Sequence, residues 1–410
     1  MAPPATTLTT PVSAAVDTTL PARTRGTALI LAGILLVALN LRIAITSLGA
    51  LLEEVRTGLH LSGAMAGVVT TMPTIAFAAF GALTPWLVRR FSASRVLVSA
   101  MVALLAGEVV RVVTGSTVVF IATSGLALAG IAVANILLPL LVRQHFPQRT
   151  GLITGAYTVS LTAGAAVAAA SAVPIADAFG TWRAGLGAWS VLAVVAVLPW
   201  LPAVLRRTGS RTVTPLLAGR VRPARTRVGW AMAIYFGTQA LSGYATIGWL
   251  AQLFRDTGYS PQTAGLLLAG VTAVGIPVAL VMPTLAVRLR SLRPLVLALA
   301  AMMITSYIGL SLAPHDGAVV WVVLLSLGQG SFPLALVMIG LRARTAEGTV
   351  ALSAFTQSLG YLIAALGPLV VGTLYEITGG WSLPIGFLIG AALIQTVAGL
   401  AVARPRYVED

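Results

Sequence analysis

The sequence predicts an all-α membrane protein of twelve membrane-spanning helices, arranged as two pseudo-symmetric six-helix halves. Three observations carry this. First, 58% of the residues are hydrophobic and only 9% are charged, against about 25% charged in ordinary soluble domains. Second, apolar runs of about 20 residues, enough to cross a bilayer core of ~30 Å as helix, recur six times and, after a polar break, six times again. Third, the two sets repeat one another. Arg56 and Arg255, Arg89 and Arg288, and Arg143 and Arg342 all stand 199 residues apart. Around the first pair, Gly49-Ala50-Leu51-Leu52-Glu53-Glu54-Val55-Arg56 returns as Gly248-Trp249-Leu250-Ala251-Gln252-Leu253-Phe254-Arg255.

The same composition excludes several functions. There is no cysteine, hence no disulfide and no thiolate metal site. The three histidines, His60, His145 and His315, have no ligand spacing, and no phosphate-cradling loop occurs. No nucleophile, base and orienting group converge by spacing, so an enzyme is not expected, nor a cofactor or metal. A formal charge of +15 would suggest nucleic acid in a soluble protein. Here the arginines fall in short loops between apolar runs, which is the signature of membrane topology.

Taken in order, residues 1–26 are rich in Pro, Thr and Ala and read as a disordered cytoplasmic tail. The first apolar run is too long for a signal-peptide core and stays as a helix. Runs at 27–52, 62–88, 94–113, 117–142, 150–173 and 184–205 make the N-terminal half, 27–205. A basic linker, 206–227, carries seven arginines and no acid. It reads as an ordinary cytoplasmic connection, although such a cluster also attracts anionic lipid headgroups. Runs at 228–254, 262–287, 294–313, 317–341, 349–375 and 382–403 make the C-terminal half, 228–403, followed by a tail at 404–410. Twenty-one arginines lie in the tails, the linker and the loops of one side, and only Arg56, Arg183 and Arg255 in the loops of the other. The positive-inside rule then puts both termini in the cytoplasm and the chain in the cytoplasmic membrane as a multi-pass protein.

One residue breaks the pattern. Arg42 lies inside the first run, roughly 22 Å from its start at ~1.5 Å per helical residue, a little beyond the midplane. An arginine there costs roughly 2.5–3.5 kcal/mol, tolerated when it meets a watery cavity, an internal partner or a ligand. Its counterpart 199 residues on is Leu241, whereas the loop arginines are repeated. The reading is an anion site, against the alternative of a guanidinium tied to backbone carbonyls and water.

At this point the residues resemble a known family. Asn40-Leu41-Arg42-Ile43-Ala44-Ile45-Thr46-Ser47 is similar to a segment of the cyanate/nitroimidazole permease group of the major facilitator superfamily. So are Gly130 to Pro139, with Asn135 inside it, the following Phe146 to Tyr157, Gln239 to Tyr244, and Gly248-Trp249-Leu250. The stretch Gly81 to Phe91, with Pro85, Arg89 and Arg90, resembles the superfamily's cytoplasmic loop motif but lacks its usual acid. The resemblance implies the major-facilitator fold and a secondary carrier working by alternating access, with substrate bound at mid-membrane between the halves. It implies a small anionic or polar nitrogen-containing solute, cyanate-like, or export of nitroimidazole-like toxic aromatics. It also implies a monomer, with the bilayer and a small-molecule substrate as the only partners.

By that architecture, spans 1, 4, 7 and 10 line the cavity beside 2, 5, 8 and 11. Arg42 and Thr46 share a helix face, and Asn40 points elsewhere. Asn135 precedes Pro139 by four residues, so its carbonyl lacks the usual donor; substrate contact and a simple kink both fit. Tyr157, Gln239, Tyr244 and Gln329 are further lining candidates, and Trp249 reads as an interface residue. Ser353, Gln357 and Tyr361 form one polar stripe at four-residue steps, facing cavity or protein. Glu108, the one carboxylate well inside a span, is the proton-coupling candidate. With Arg111 it also reads as a structural pair near the outer boundary, the arginine snorkelling. Glu53, Glu54 and Glu376 read as solvated.

Overall fold

In the computed structural model the described residues are 22–202 and 221–410, so most of the expected tail 1–26 and linker 206–227 lies outside them. The chain runs through α1 (Ala22–Ala50), α2 (Leu52–Gly58), α3 (Gly63–Arg90), α4 (Ala93–Val113), α5 (Thr117–His145), α6 (Thr150–Ala178), α7 (Trp182–Gly187) and α8 (Ser190–Val197). It continues through α9 (Arg227–Asp256), α10 (Pro261–Arg288), α11 (Arg293–Leu312), α12 (Ala318–Gly328), α13 (Ser331–Leu341), α14 (Ala346–Thr378) and α15 (Ser382–Val402). Short 3₁₀ turns fill some of the joints.

Local chemistry starts these helices on both sides of the bundle. Ser62, Ser92, Ser260 and Thr345 each accept a hydrogen bond from the backbone N–H three residues on, at 3.2, 3.4, 3.2 and 2.9 Å, the standard N-cap. Because helix satisfies its backbone internally, Pro139, Pro174, Pro277, Pro283 and Pro368 are accommodated inside long helices. The presumed loop Gly81–Arg90 is instead the end of α3, which remains helical through Arg90 and leaves only Phe91 and Ser92 as the joint.

Among the described residues, eleven helical segments are long and apolar enough to cross a membrane. The expected seventh span, α9, is 30 residues long but falls short in apolarity. Its reason is burial in protein rather than lipid: Thr238, Gln239, Ser242, Thr246 and Gln252 are all buried. Two other expected spans are interrupted. The sixth is pieced from α7, α8 and a 3₁₀ turn, and the tenth is broken at Gln329-Gly330 between α12 and α13.

The halves meet along α1 with α9, α3 with α14 and α6 with α10. Backbones touch closely there. At Gly49 any side chain would collide with the Ile247 carbonyl oxygen, and at Gly265 a Cβ would stand 2.7 Å from that of Ala169. Polar links add to this seam. Arg255 donates to Glu54 at 2.9 Å and to the Ala50 carbonyl at 2.8 Å. The Ala64 N–H donates to Glu376 at 2.7 Å, Gln262 to Asp177 at 2.6 Å, and Thr71 to the Ala365 carbonyl at 3.2 Å. Glu54 and Glu376, expected to be solvated, are therefore seam residues. Among the described residues, every hydrogen bond between the halves lies in the part of the molecule away from the arginine-rich loops. The molecule is sealed at one end.

At the other end the tail 404–410 is docked. Arg342 donates to the carbonyls of Val402 and Ala403 at 2.6 and 3.2 Å, and the Val408 N–H to the Arg342 carbonyl at 2.9 Å. Glu409 accepts from the N–H groups of Arg344 and Thr345 at the start of α14. Against the upward push of partial burial, these bonds and the Thr345 hydroxyl hold its carboxyl below the usual carboxylate range.

Candidate functional site

Arg42 sits in the last third of α1, half-buried, and its guanidinium carbon lies 5.5 Å from the ring centroid of Tyr244 on α9. A cation over an aromatic face is attracted by the ring's quadrupole, more strongly when desolvated. Tyr244 belongs to a cluster. Its ring is 6.4 Å from Phe77 on α3 and 6.5 Å from Tyr361 on α14, while Phe77 and Tyr361 stack at 5.3 Å. Phe236 meets Tyr361 edge-on at 5.4 Å and Phe332 on α13 at 5.5 Å. Rings from both halves thus meet beside one guanidinium, which has no ion-pair partner among the described residues.

The structure brings Arg42, Tyr244 and Tyr361 together and sorts the other expected residues differently. The Thr46 hydroxyl, fully buried, donates back to the Arg42 carbonyl at 3.0 Å, so it braces α1. Asn40, 1% exposed, donates to Leu36 on its own helix at 2.8 Å and to Leu192 at 3.4 Å. Gln239 forms a chain of amides: its nitrogen donates to Gln329 at 2.5 Å and its oxygen accepts from Gln395 at 2.8 Å. That ties α9 to α15 and to the break between α12 and α13. Gln357 donates to Ser353 at 2.8 Å along the expected stripe. Asn135 is half-buried on α5, and Tyr157 on α6 is half-buried against the core around α1 and α5. Trp249, expected at the lipid interface, is 2% exposed and donates to the Pro368 carbonyl at 3.2 Å.

The largest departure concerns α4. Arg111 does not snorkel: it is 2% exposed, and Glu108 is 1% exposed. No ion pair or hydrogen bond joins them, and both carboxylate oxygens of Glu108 lack a partner, as do Nε and Nη2 of Arg111. Arg111 instead lines a small cavity with Ser124 and Tyr244. Sequence reasoning also missed Phe77 and Ser124. An aromatic ring or a lone hydroxyl in an apolar run carries no mark, but Arg111 did: it is the second arginine inside a span.

The Major Facilitator Superfamily family model matches residues 30–368. The chain is 34% identical to the "Uncharacterized transporter YycB" of Bacillus subtilis, covering 92% of this chain and 94% of that protein. It is 31% identical to the "2-nitroimidazole transporter" of Escherichia coli, over 92% and 96% of the two chains. It is 28% identical to the E. coli "Cyanate transport protein CynX", over 86% and 92%. Among solved structures, a bacterial homolog of the human lysosomal transporter Spinster, crystallised inward-facing and occupied, superposes with TM-score 0.71 at 15% identity, covering 94% of each chain. That likeness is one of fold.

Proposed function

The chain belongs to the major facilitator superfamily, and from that premise we propose that it is a secondary active transporter of a small planar solute, anionic or polarised and nitrogen-containing. The observation that carries this is Arg42 lying over Tyr244 at the junction of both halves. An arginine without a carboxylate partner offers a positive, forked donor set for an anionic or electron-rich oxygen or nitrogen edge. Phe77, Tyr244 and Tyr361 offer flat faces beside it. A site shared between halves is what alternating access needs, because rocking one half against the other exposes it to each side in turn.

The arginine-rich loops are assigned to the cytoplasm by the positive-inside rule. The sealed end then faces outward.

A second reading, export of nitroimidazole-like aromatics, is favoured by the ring cluster and by the relative named as a 2-nitroimidazole transporter. One experiment separates the two: thermal stabilisation of the purified protein by cyanate, nitrate, small carboxylates, and neutral and nitro-substituted imidazoles, repeated on Arg42→Ala. Stabilisation by an anion that disappears in the variant supports the anion carrier. Stabilisation by neutral aromatics that survives it shifts the reading to the exporter and makes Arg42 architectural.

A further inference from the structure

The cavity at Arg111 is separate from the site at Arg42. It is lined by Ala44, Ile45 and Leu48 of α1, Val69, Thr70 and Pro73 of α3, Arg111 of α4, Ser124 and Leu128 of α5, and Tyr244 and Gly248 of α9. Arg42 is not among them; Tyr244 is the residue common to both. Every lining position lies on the sealed side of Arg42: Leu48 is six residues further along α1, about 9 Å, and Arg111 and Ser124 lie near the helix ends closest to the seal. The cavity is tight in this conformation and takes a guest of about the size of one water.

Three polar side chains line it with buried atoms left unpartnered: Arg111 and Ser124 on neighbouring helices, and the Tyr244 hydroxyl on α9. Arg111, 2% exposed, has Nε and Nη2 without acceptors, and Ser124, 1% exposed, has Oγ without a partner. Thr70 is already engaged, donating to Ala66 at 2.9 Å. Buried polar atoms in native proteins are nearly always paired, and a buried guanidinium with free N–H groups needs an acceptor. Glu108, one turn earlier on α4, is the nearest acid in sequence, yet it makes no bond to Arg111 and does not line the cavity. Glu108 feels the Arg111 charge without bonding to it, so the free N–H groups of Arg111 stay open to an acceptor entering the cavity.

We propose that Arg111 and Ser124 form a second anion station for a small monovalent inorganic anion of halide size, between the Arg42 site and the sealed end. Arg111 supplies charge and N–H donors, and Ser124 donates its hydroxyl proton. Tyr244 divides this station from the Arg42 site, so an occupant here sits on the far side of the ring against which Arg42 rests. The inference does not require the solute assigned to Arg42. It concerns a different cavity and a smaller guest.

The test is bromide binding to the full-length detergent-purified protein. It is read as saturable thermal stabilisation at constant ionic strength, with gluconate as the balancing anion. Wild type and Arg42→Ala are expected to bind alike. Arg111→Gln should weaken binding at least tenfold, Ser124→Ala several-fold, and Glu108→Gln should tighten it by removing a nearby negative charge. Bromide binding unchanged in Arg111→Gln overturns the proposal, as does its loss in Arg42→Ala. If Arg111→Gln does not fold, the two milder variants decide: wild-type affinity in both Ser124→Ala and Glu108→Gln overturns the station. Failure of the carrier reading is seen separately, as organic-solute binding that persists in Arg42→Ala.

Discussion

The two halves share a fold and divide its chemistry. At equivalent depth the N-terminal half carries Arg42, Glu108 and Arg111 within its spans, where the C-terminal half, 199 residues on, has Leu241, Tyr307 and Leu310. The amide of α1 does have an equivalent: Asn40 corresponds to Gln239, and each is 1% exposed. Yet Asn40 bonds chiefly to its own helix, whereas Gln239 links Gln329 and Gln395. One half carries the charge within the spans, while the other contributes Tyr244 and Tyr361 and a cross-linked amide core. What the repeat keeps is architecture, and what it fails to keep marks the proposed site.

The strongest way to break this comparison is to make the halves alike. Arg42→Leu gives α1 the residue α9 has, and should cost about 100-fold in solute affinity, ~2–3 kcal/mol. Adding Leu241→Arg should not restore it, because the arginine would enter a half built around neutral partners. Restored binding in the double variant, measured by the same thermal shift, would mean that the halves are interchangeable.

Next in size is the amide chain. Gln239→Leu strips two hydrogen bonds, leaving the Gln329 oxygen without its donor and the Gln395 nitrogen without its acceptor, a loss of about 1–2 kcal/mol seen as a lower unfolding temperature. Asn40→Leu should cost less, since its main partner is a carbonyl already in a helix. Equal losses would remove the contrast drawn between the two amides.

A smaller effect is expected at the seam. Arg255 crosses to Glu54 with side chains 10% and 30% exposed, while its counterpart Arg56 stays with Glu53 on its own helix. Arg255→Leu should shift the population toward opening at that end about fivefold, ~1 kcal/mol; Arg56→Leu should shift it little. The chain has no cysteine, so maleimide labelling of Val69→Cys would read the change directly. Equal labelling in all backgrounds would show that the ion pair does not bias the seal.

The smallest effect is one of pH. Glu409 has a folded-state pKa held below its ordinary 4.5, so its bonds to α14 contribute above that value. The contribution fades as pH falls through the lower folded value. Hydrogen exchange at the Arg344 and Thr345 amides should rise in that acid window in wild type, and already be raised at neutral pH in Glu409→Gln. Flat exchange across the window would dismiss the contact as stabilising.

Most of the fold was legible because hydropathy and loop arginines report directly on the bilayer. The candidate site was legible in part. Arg42 stood out because depth and charge conflict in one dimension, and Tyr244 stood out through the motif around it. Arg111 was misplaced because a three-residue spacing from Glu108 says that both share a face of α4, not which neighbour that face meets. For the same reason Gln239 resembled a ligand contact: its partners, Gln329 and Gln395, lie 90 and 156 residues away in sequence. The weak hydropathy of α9 carried the opposite information, that this helix sits among helices rather than among lipids.

At Gly49 and Gly265 the seam brings main chain against main chain, without side-chain knobs set into sockets. Two smooth faces can part without any rotamer having to turn first, so there is little mechanical friction in the stroke. The tempo of opening then falls to the handful of polar links and to how fast water wets the uncovered carbonyls. A bulky residue at position 49 or 265 would act as a wedge, holding the outer end ajar however firmly the solute binds.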